Sequence, residues 1–352
     1  MDIDSVTPED MRFNPPGFSV DEIARLVADE YRLSGEWSPL PGERDQNFRL
    51  RCEAGEGYVV KIAGRDEDPD ITDFQVQALL HLESSNPSIP LPRLIRTAAG
   101  NSLSRIADSD GTTHTVRVVT WLDGIPYGDG VFPDAHHLLE IGQFMGEMVN
   151  ALRGFDHPAS HKFMPWNLSN GIAVSRNLWQ EAEADIRAAA APMLDRLRED
   201  VLPRLNACPS QVIHNDGHPY NLLRADADSQ AVAGLIDFGD MVYAPILNEL
   251  VVTATTFQRR TPGDLTTLDN LLRGFLRAHP LSETEVSLIW DAMTLRLLIT
   301  VLLSDIKCRL GPDPDAQEDR KEALVMLRGL SAMNHAEAVG RLLAVAGYTG
   351  EV

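Results

Sequence analysis

The sequence predicts an α+β protein built from two lobes. Its 352 residues exceed what one compact core usually contains, so a division into two units is expected. From about residue 37 to 62 the chain reads as short strands, and a mixed strand and helix pattern continues from there. Long amphipathic helices dominate after that. We therefore predict a small antiparallel-sheet lobe with a leading helix over 1–122 and a mainly helical lobe over 123–352.

The first lobe is predicted to begin with a capped helix. Ser19 and Glu22 have the spacing of a capping box, and apolar residues then recur at helical spacing. Three antiparallel strands are expected next, in WSPL, NFRLRCE and YVVKIA. A helix in DITDFQVQALLHLE and a strand pair that ends in VRVVTWL complete this lobe.

The second lobe is predicted to be helical on both sides of a short strand region. Helices are expected over 134–153 and 176–198, and several more beyond residue 245. Short strands interrupt this pattern only around 211–238. This interruption is where the chemically informative residues lie.

The most apolar stretch of the chain is LRLLITVLL at 295–303. It contains Arg296 and is too short to span a bilayer, so we interpret it as part of a core helix. Ser282 and Glu285 form a second capping-box pattern, which predicts a helix that begins there and ends near Gly311.

Composition and charge limit the classes of partner and the cellular location that we expect. The formal charge of -21, from 52 acids and 31 bases, would repel nucleic acid and anionic membranes, so neither partner is expected. An acidic surface is compatible with a cationic substrate. Cys52, Cys208 and Cys308 are far apart and outside any CxxC spacing, which favours reduced thiols. The acidic N-terminus MDIDSVTPEDMRF does not resemble a signal peptide, so a cytoplasmic location is predicted.

The segment VIHNDGHPYNLL contains the most informative spacing. His214, Asp216 and Asn221 fit the H-x-D-x-x-x-x-N pattern of a phosphotransferase catalytic loop. Such a loop needs a carboxylate that accepts the proton of an attacking hydroxyl and an amide oxygen that coordinates Mg²⁺. Asp216 and Asn221 are the candidates for these roles. Taken alone, the same spacing also fits an ordinary polar turn.

Two further motifs favour the chemical interpretation. The apolar run AVAGLI leads into Asp237-Phe238-Gly239, which predicts a second metal-binding carboxylate at Asp237. Upstream, Lys61 projects from the apolar strand YVVKIA, and burial of its stem favours an anion at its head. A surface lysine is the alternative for Lys61 by itself.

These motifs, in this order, resemble the aminoglycoside phosphotransferase and choline kinase superfamily. The resemblance extends from about residue 30 to at least residue 255. Within the superfamily the chain is most similar to the hydroxylysine kinase group. That similarity is carried by PLPGERDQNF, by DFQVQALLHLE with IPLPRLI, by FDHPASHKFMPWNL, and by HNDGHPYNLL with LIDFGDMVYAP.

The resemblance implies a protein-kinase-like fold and a phosphotransferase with an alcohol group as acceptor. It implies that ATP or GTP binds between the lobes, with Lys61 on the α- and β-phosphates. The base would then lie against VVTWLDG, which includes Thr120 and Leu122. Asn221 and Asp237 would hold Mg²⁺.

The chain departs from the family pattern in three places. Asn215 stands where many members have glycine, which implies only a local change of turn. Gln75 stands where a glutamate usually pairs the lysine; it is equally placed to be the capping-box partner of Thr72. A G-x-G-x-x-G loop is absent, so backbone N–H groups and the side chains of Gln46 and Asn47 are the candidates to cover the phosphates.

The acceptor is expected to bind to the helical lobe. An ammonium group would favour carboxylates, and a carboxylate would favour Arg296. Hydroxylysine is the first expectation, with another amino alcohol or an aminoglycoside next. A protein acceptor is not expected, since no A-P-E follows Gly239. The candidate substrate residues are Trp166, His218, Tyr220, Asp240, Glu249, Arg296 and Asp305.

Two other classes of function remain open. His214, Asp216 and His218 form an HxDxH pattern that would suit a zinc or iron hydrolase, although no HExxH accompanies it. A catalytically silent nucleotide-binding scaffold is the other alternative. A scaffold is disfavoured because the four residues that phosphoryl transfer needs are all present: Lys61, Asp216, Asn221 and Asp237. The sequence gives no oligomeric state.

Overall fold

The computed structural model describes residues 13–179, 182–226 and 231–348. The chain divides into two compact units. One contains residues 13–123 together with Ala233–Ile236, and the other contains Gly124–Val232 and the chain from Asp237 onward. The first is rich in strands and the second in helices, which confirms the predicted α+β class.

The N-terminal unit is built on an antiparallel sheet. Its strand order is β1-β2-β3-β6-β4. Strand β5 lies outside this order and pairs antiparallel with the first half of β6. Each of the three predicted strands is present, with boundaries shifted by one or two residues. The elements in chain order are α1 (Val20–Tyr31), β1 (Glu36–Leu40), β2 (Gln46–Arg51), β3 (Gly57–Ile62), α2 (Pro69–Ser85), β4 (Leu94–Ile95), β5 (Ser104–Ala107) and β6 (Thr113–Thr120).

Helix α1 covers one face of this sheet. The predicted capping box is confirmed, since Ser19 and Glu22 each accept a backbone N–H from the other. The buried core then consists of apolar side chains from the helix and the central strands: Ile23, Val27, Tyr31, Phe48, Leu50, Val60, Ile62, Val116 and Val118. Successive strand residues point to opposite faces, so Lys61 lies on the face away from this core.

Helix α2 begins earlier than the capping-box alternative requires. Asp68 is its N-cap and accepts the backbone N–H of Asp70. Thr72 and Gln75 therefore lie inside the helix, where both are buried, and their capping-box interpretation is wrong. A pairing of Gln75 with Lys61 stays a prediction.

The second unit is mainly helical. Short strands occur around 211–238 as expected, and a two-residue strand at Ile125–Pro126 was not expected. Strand β8 pairs with β11, and β7 pairs with β9, both antiparallel. The strands of this unit are β7 (Ile125–Pro126), β8 (Ser210–Ile213), β9 (Leu222–Arg224) and β11 (Val242–Pro245). Strand β10 (Val232–Leu235) lies mostly in the stretch that belongs to the N-terminal unit. The helices are α3 (Ala135–Ala151), α4 (Gly171–Trp179), α5 (Ala184–Arg196), α6 (Leu202–Asn206), α7 (Leu247–Gln258), α8 (Thr266–Ala278), α9 (Glu283–Leu310), α10 (Pro314–Ala332) and α11 (His335–Val345).

The single helix predicted over 176–198 is wrong. Two helices occupy this region, and Glu183 between them has extended backbone angles. The physical reason is tertiary: α4 packs against α9, whereas α5 contacts α10 as well as α9. A π-helical turn at Leu197–Val201 then joins α5 to α6.

Helix α9 is the central helix of this unit. Its capping box at Ser282 and Glu285 is confirmed, and it ends at Leu310, immediately before Gly311. With 28 residues it is longer than its apolar run suggested, and by length and composition it could cross a membrane. However, 94% of its most apolar window is buried inside the protein, which supports the core-helix interpretation.

Candidate active site

The predicted catalytic loop leaves the end of β8. Ile213 pairs with Val242 of β11, and His214 follows with its side chain fully buried. The Nδ1 atom of His214 accepts the backbone N–H of Asp216 at 3.3 Å. Its ring also packs edge-on against Phe238, with centroids 4.9 Å apart. The histidine therefore positions the loop, as its place in the motif predicts.

Two site residues adopt left-handed backbone conformations. Asn215 has φ 64° and Asp237 has φ 62°. Asn and Asp tolerate this region better than most residues, and glycine tolerates it best. This explains why asparagine can stand in a position where many family members have glycine. The Asn215 amide also donates to the backbone oxygen of Asp240 at 3.2 Å.

Asp216 and Asn221 contact each other directly. The Nδ2 group of Asn221 donates to Oδ2 of Asp216 at 2.6 Å and to its backbone oxygen at 3.0 Å. With the amide nitrogen fixed in this way, Oδ1 of Asn221 is the atom left to face a cation. The structure thus brings the predicted base and one predicted metal ligand together.

Negative charge accumulates around Asp216. Burial raises the pKa of the Asp216 carboxyl well above its ordinary value, and the carboxylates of Asp240 and Asp237 add to this effect. Arg296 and the Asn221 hydrogen bond act in the opposite direction but do not outweigh it. The Asp237 carboxylate and the Asn221 amide oxygen are of the kind that Mg²⁺ prefers as ligands, and a cation near them would relieve the repulsion among the carboxylates.

Glu249 was predicted to contact the substrate, and this is wrong. The side chain lies in α7 and is fully buried. Its Oε2 accepts the backbone N–H of His214 at 2.6 Å and that of Asn215 at 3.4 Å. Burial raises the pKa of Glu249 to about 7, while these two hydrogen bonds lower it. Glu249 is therefore a positioning residue beneath the catalytic loop.

His218 and Tyr220 lie in the same loop. The Nδ1 atom of His218 accepts the backbone N–H of Tyr220 at 2.9 Å. Burial lowers the pKa of His218 to about 4, so the ring is neutral at physiological pH. The Tyr220 ring lies against Gly128, where an added Cβ would come within 2.5 Å of it, although 57% of the residue is exposed.

Arg296 contacts Trp166 through both a hydrogen bond and its guanidinium face. The Nη1 group of Arg296 donates to the backbone oxygen of Trp166 at 2.8 Å, and its guanidinium lies 4.9 Å from the ring centroid. Asp305, in contrast, is fully buried and accepts from Arg320 at 2.8 Å. Its predicted contact with substrate is wrong, because the carboxylate is occupied by an internal ion pair.

Lys61 occupies the centre of the N-terminal sheet. It pairs across the strands with Asn47 of β2 and Arg117 of β6, so these three side chains share one face. Arg117 is balanced by Asp45, whose Oδ2 lies 2.8 Å from Nη2 of the arginine. The role of Lys61 at phosphates stays a prediction.

The polar side chains proposed to cover the phosphates have structural partners. Gln46 accepts the backbone N–H of Phe18 at 2.9 Å and donates to its oxygen at 2.8 Å. The Asn47 amide donates to the oxygen of Pro41 at 2.9 Å and so closes the β1–β2 loop. Each amide nitrogen carries a second N–H, so these bonds fix the orientation of the two side chains and leave one donor on each. A phosphate contact by Gln46 or Asn47 stays a prediction.

The segment predicted to face the nucleotide base follows β6. The Thr120 hydroxyl accepts the backbone N–H of Arg93 at 2.9 Å, and the two residues also share a backbone hydrogen bond. The Leu122 side chain lies against Gly234, where an added Cβ would come within 2.8 Å of it. Contact of either residue with a base stays a prediction.

The hydrolase alternative is not supported by the geometry. Both histidines of the HxDxH pattern, His214 and His218, direct Nδ1 to backbone N–H groups. Within residues 13–179, 182–226 and 231–348, three or more His, Cys, Asp or Glu side chains nowhere form a metal-binding group. An amide and a carboxylate are a different ligand set, so this finding does not bear on Mg²⁺ at Asn221 and Asp237.

Comparison with known proteins decides the family. The family model described as "phosphotransferase enzyme family" matches residues 36–283, which is more than half of the chain. The chain belongs to the phosphotransferase enzyme family. The match includes Lys61 and the complete catalytic-loop and D-F-G segments.

Curated relatives of this phosphotransferase agree with the assignment. Hydroxylysine kinase from Mus musculus is 24% identical over 322 residues, which cover 85% of each chain. Homoserine kinase from Pseudomonas aeruginosa (strain LESB58) is 28% identical over 259 residues, or 72% of this chain and 74% of the relative. The predicted closeness to hydroxylysine kinase is confirmed. The chain is a small-molecule phosphotransferase that acts on a hydroxyl group.

Solved structures confirm the predicted kinase-like fold. An amicoumacin kinase in complex with AMP-PNP and Ca²⁺ has a TM-score of 0.69 at 14% identity and covers 91% of this phosphotransferase and 97% of that chain. A microcompartment-associated aminopropanol kinase has a TM-score of 0.68 at 14% identity and covers 93% and 98% of the two chains.

Two charged residues near the loop were missed from the sequence. Arg259, the C-cap of α7, pairs with Asp319 of α10 at 2.8 Å. Both charges act on the pKa of His218, so both lie within electrostatic range of its ring. In the sequence they stand in FQRR and AQEDRKE, which look like ordinary solvated helix ends and faces.

Proposed function

We propose that this phosphotransferase transfers the γ-phosphoryl group of ATP or GTP, with Mg²⁺, to the hydroxyl group of a hydroxylated amine or amino acid such as hydroxylysine. Asp216 is the proposed base, Asn221 and Asp237 the proposed metal ligands, and Lys61 the proposed phosphate ligand. The observation that supports these roles most strongly is the 2.6 Å hydrogen bond from Asn221 to Asp216. Asp237 lies close enough to raise the pKa of the Asp216 carboxyl.

Asp216 is suited to align and deprotonate an acceptor hydroxyl. The Asn221 amide fixes Oδ2, and the other carboxylate oxygen remains to accept a hydrogen bond from the acceptor. Its pKa is raised mainly by burial and by Asp240 and Asp237, so a cation at those carboxylates would return it toward the ionised form. Attack of the hydroxyl oxygen on the γ-phosphorus then forms the new P–O bond as the bond from this phosphorus to the β–γ bridging oxygen breaks, so ADP or GDP leaves and the hydroxyl proton passes to Asp216.

Magnesium fits the residues that are present. Asn221 and Asp237 would hold it, and the bound ion would neutralise charge on the transferring phosphoryl group. The Gly239 backbone N–H donates to Oδ1 of Asp237 at 3.1 Å, which orients this carboxylate. The nucleotide complex recorded for the amicoumacin kinase supports a nucleoside triphosphate as phosphoryl donor.

The names of the related kinases support the acceptor class. Hydroxylysine kinase, homoserine kinase and aminopropanol kinase all name acceptors that carry both an amine and a hydroxyl group. Asp240 near the loop is a carboxylate suited to such an amine. Aminoglycosides and other amino alcohols are the second class of acceptor that we consider.

The test is a phosphoryl-transfer assay with ATP and with GTP, in the presence and absence of Mg²⁺. The acceptor panel contains hydroxylysine, homoserine, aminopropanol and an aminoglycoside. We expect Mg²⁺-dependent turnover of at least one amine-bearing alcohol, and a decrease in kcat of about 10²- to 10⁴-fold in Asp216→Asn because base and alignment are lost together.

Asp156→Asn is the matched control for this variant, since the Asp156 side chain is 74% exposed in the same unit. It should keep wild-type turnover. Nucleotide binding without turnover of any acceptor would favour the scaffold alternative. Unchanged kcat in Asp216→Asn would remove Asp216 from its proposed role.

A further inference from the structure

Arg296 is a buried cation without a carboxylate partner in the described part of the chain. Only 6% of the residue is exposed. Its one hydrogen bond runs from Nη1 to the backbone oxygen of Trp166, and Nε is buried with no acceptor. Burial lowers the pKa of Arg296 despite the opposing charges of Asp216 and Asp240. A buried guanidinium in this state is strongly stabilised by an added anion.

His218 offers a second donor near this guanidinium. Because Nδ1 accepts the Tyr220 N–H and the ring is neutral, the ring proton lies on Nε2. No acceptor for Nε2 is found in the described part of the chain. Arg296 also lowers the pKa of His218, which places the two side chains within electrostatic range. Together they suit an incoming carboxylate, for which charge-assisted N–H donors are the preferred partners.

Asp319 offers the opposite charge beside these donors. One of its oxygens binds Arg259 at 2.8 Å, and 48% of its side chain is exposed. Asp319 acts electrostatically on both His218 and Arg296. Its second oxygen is therefore available to accept a hydrogen bond from an ammonium group. The Arg259 side chain, 13% exposed, is held in place by the same ion pair.

We propose that Arg296 and Nε2 of His218 bind a carboxylate of the acceptor and that Asp319 binds its ammonium group. This inference rests on the proposed function. The acceptor is thus a zwitterionic hydroxy-amino acid, and an amino alcohol without a carboxylate is a poor substrate. A polycationic aminoglycoside is disfavoured by the same geometry, because Arg296 and Arg259 would repel it.

The test compares acceptors that differ only in the carboxylate. The pairs are homoserine with 3-aminopropan-1-ol and 5-hydroxylysine with 1,5-diaminopentan-2-ol. For wild type we expect kcat/KM to be about 10- to 100-fold higher for the carboxylate-bearing member, which is the usual range for a hydrogen bond to a charged group. Equal kcat/KM for both members of each pair would overturn the inference.

Variants assign the effect to the named side chains. Arg296→Met should remove the preference by raising KM for the carboxylate-bearing member, so that kcat/KM falls about 10- to 100-fold more for this member than for the other. Asp319→Asn should raise KM for both members, since both carry the ammonium group. Glu318→Gln, the neighbouring exposed acid of α10, is the control and should change neither.

The outcomes separate this inference from the proposed function. An equal loss for both members in Arg296→Met would mean that Arg296 acts on Asp216 and not on a carboxylate, which contradicts the inference. If thermal unfolding shows Arg296→Met to be misfolded, His218→Asn decides: its side-chain oxygen keeps an acceptor for the Tyr220 N–H but removes the Nε2 donor. Absence of wild-type turnover on every acceptor would contradict the proposed function itself.

Discussion

Single residues of the catalytic loop act through their backbone as much as through their side chains. Asn215 and Asp237 hold left-handed conformations directly beside the groups that they help to place. Gly217 follows Asp216 and packs tightly: an added Cβ would lie 2.5 Å from Oγ1 of Thr253 and 2.6 Å from Cε of Met145. The loop is therefore positioned by close packing against two helices.

Gly217→Ala is expected to displace the loop. Overpacking of this kind destabilises a protein by about 1–3 kcal/mol. The shift would also move Asp216 away from its position, so kcat should fall more than the thermal stability alone suggests. Steady-state kinetics and thermal unfolding measure the two effects, and Thr253→Ala in the same chain should restore part of the activity by removing the nearer contact.

Gly329→Ala is the matched control for this variant. Gly329 lies inside α10 with nothing within 4 Å of an added Cβ. Alanine there should stabilise the helix by about 0.5–1 kcal/mol and leave kcat unchanged. Equal kinetic behaviour of the two variants would contradict the assigned packing role of Gly217.

At the scale of elements, α7 is the support of the site. Every residue from Leu247 to Gln258 is buried. Its first turn presents Glu249 to the loop backbone, and the Thr253 hydroxyl donates to the Glu249 backbone oxygen at 3.0 Å. A carboxylate is a stronger acceptor than a neutral group, so Glu249 holds the backbone N–H groups of His214 and Asn215 firmly. Burial of this charged group costs free energy.

Glu249 predicts a specific pH dependence of stability. Its pKa is raised from an ordinary value of 4.5 to about 7, mainly by burial. Between these values the folded state binds more protons than the unfolded state, so stability falls as pH rises. The contribution is fully present below about pH 4.5 and lost above about pH 7, and it amounts to about 3 kcal/mol at about 1.4 kcal/mol per pKa unit.

The measurement compares wild type with Glu249→Gln, which cannot titrate. Urea unfolding at a series of pH values should show the wild-type free energy of unfolding decrease relative to the variant between pH 4.5 and pH 8. A difference that stays constant across this range would show that the carboxylate does not change its protonation state. Glu283→Gln, an exposed acid of α9, is the control.

At the scale of the whole molecule, the helical unit depends on α9. This helix packs against α4, α7, α10 and α11, and 21 of its 28 residues are buried. The same helix carries Arg296 toward the catalytic loop. Stability and the proposed substrate recognition thus depend on one helix, and variants on its different faces are needed to separate them.

Leu298→Ala is expected to destabilise the protein without changing the chemistry. Leu298 is fully buried in α9. Loss of its side chain should lower the free energy of unfolding by about 2–5 kcal/mol. Chemical denaturation measures this loss, and kcat below the unfolding transition should remain within about threefold of wild type. Val325→Ala, 51% exposed on α10, should change stability by less than about 0.5 kcal/mol.

Much of the fold and part of the site could be predicted from local patterns. The capping boxes at Ser19 and Ser282 and the three strands β1 to β3 are confirmed because these signals act within a few residues. The spacing of Asp216 and Asn221 likewise predicted two side chains that the structure brings within hydrogen-bond distance. Such features follow from the chain alone.

The remaining features depend on which elements meet. Glu249 looks like a surface acid in the sequence, yet its helix is buried on every side and its carboxylate supports the loop. Arg259 and Asp319, 60 residues apart, become partners only because α7 ends beside α10. The sequence by itself determined the fold class, the family and the chemical groups, because these are written in short-range spacing. The tertiary structure decided which charges are buried, paired or left to bind a substrate, because burial and pairing are set by contacts between distant segments.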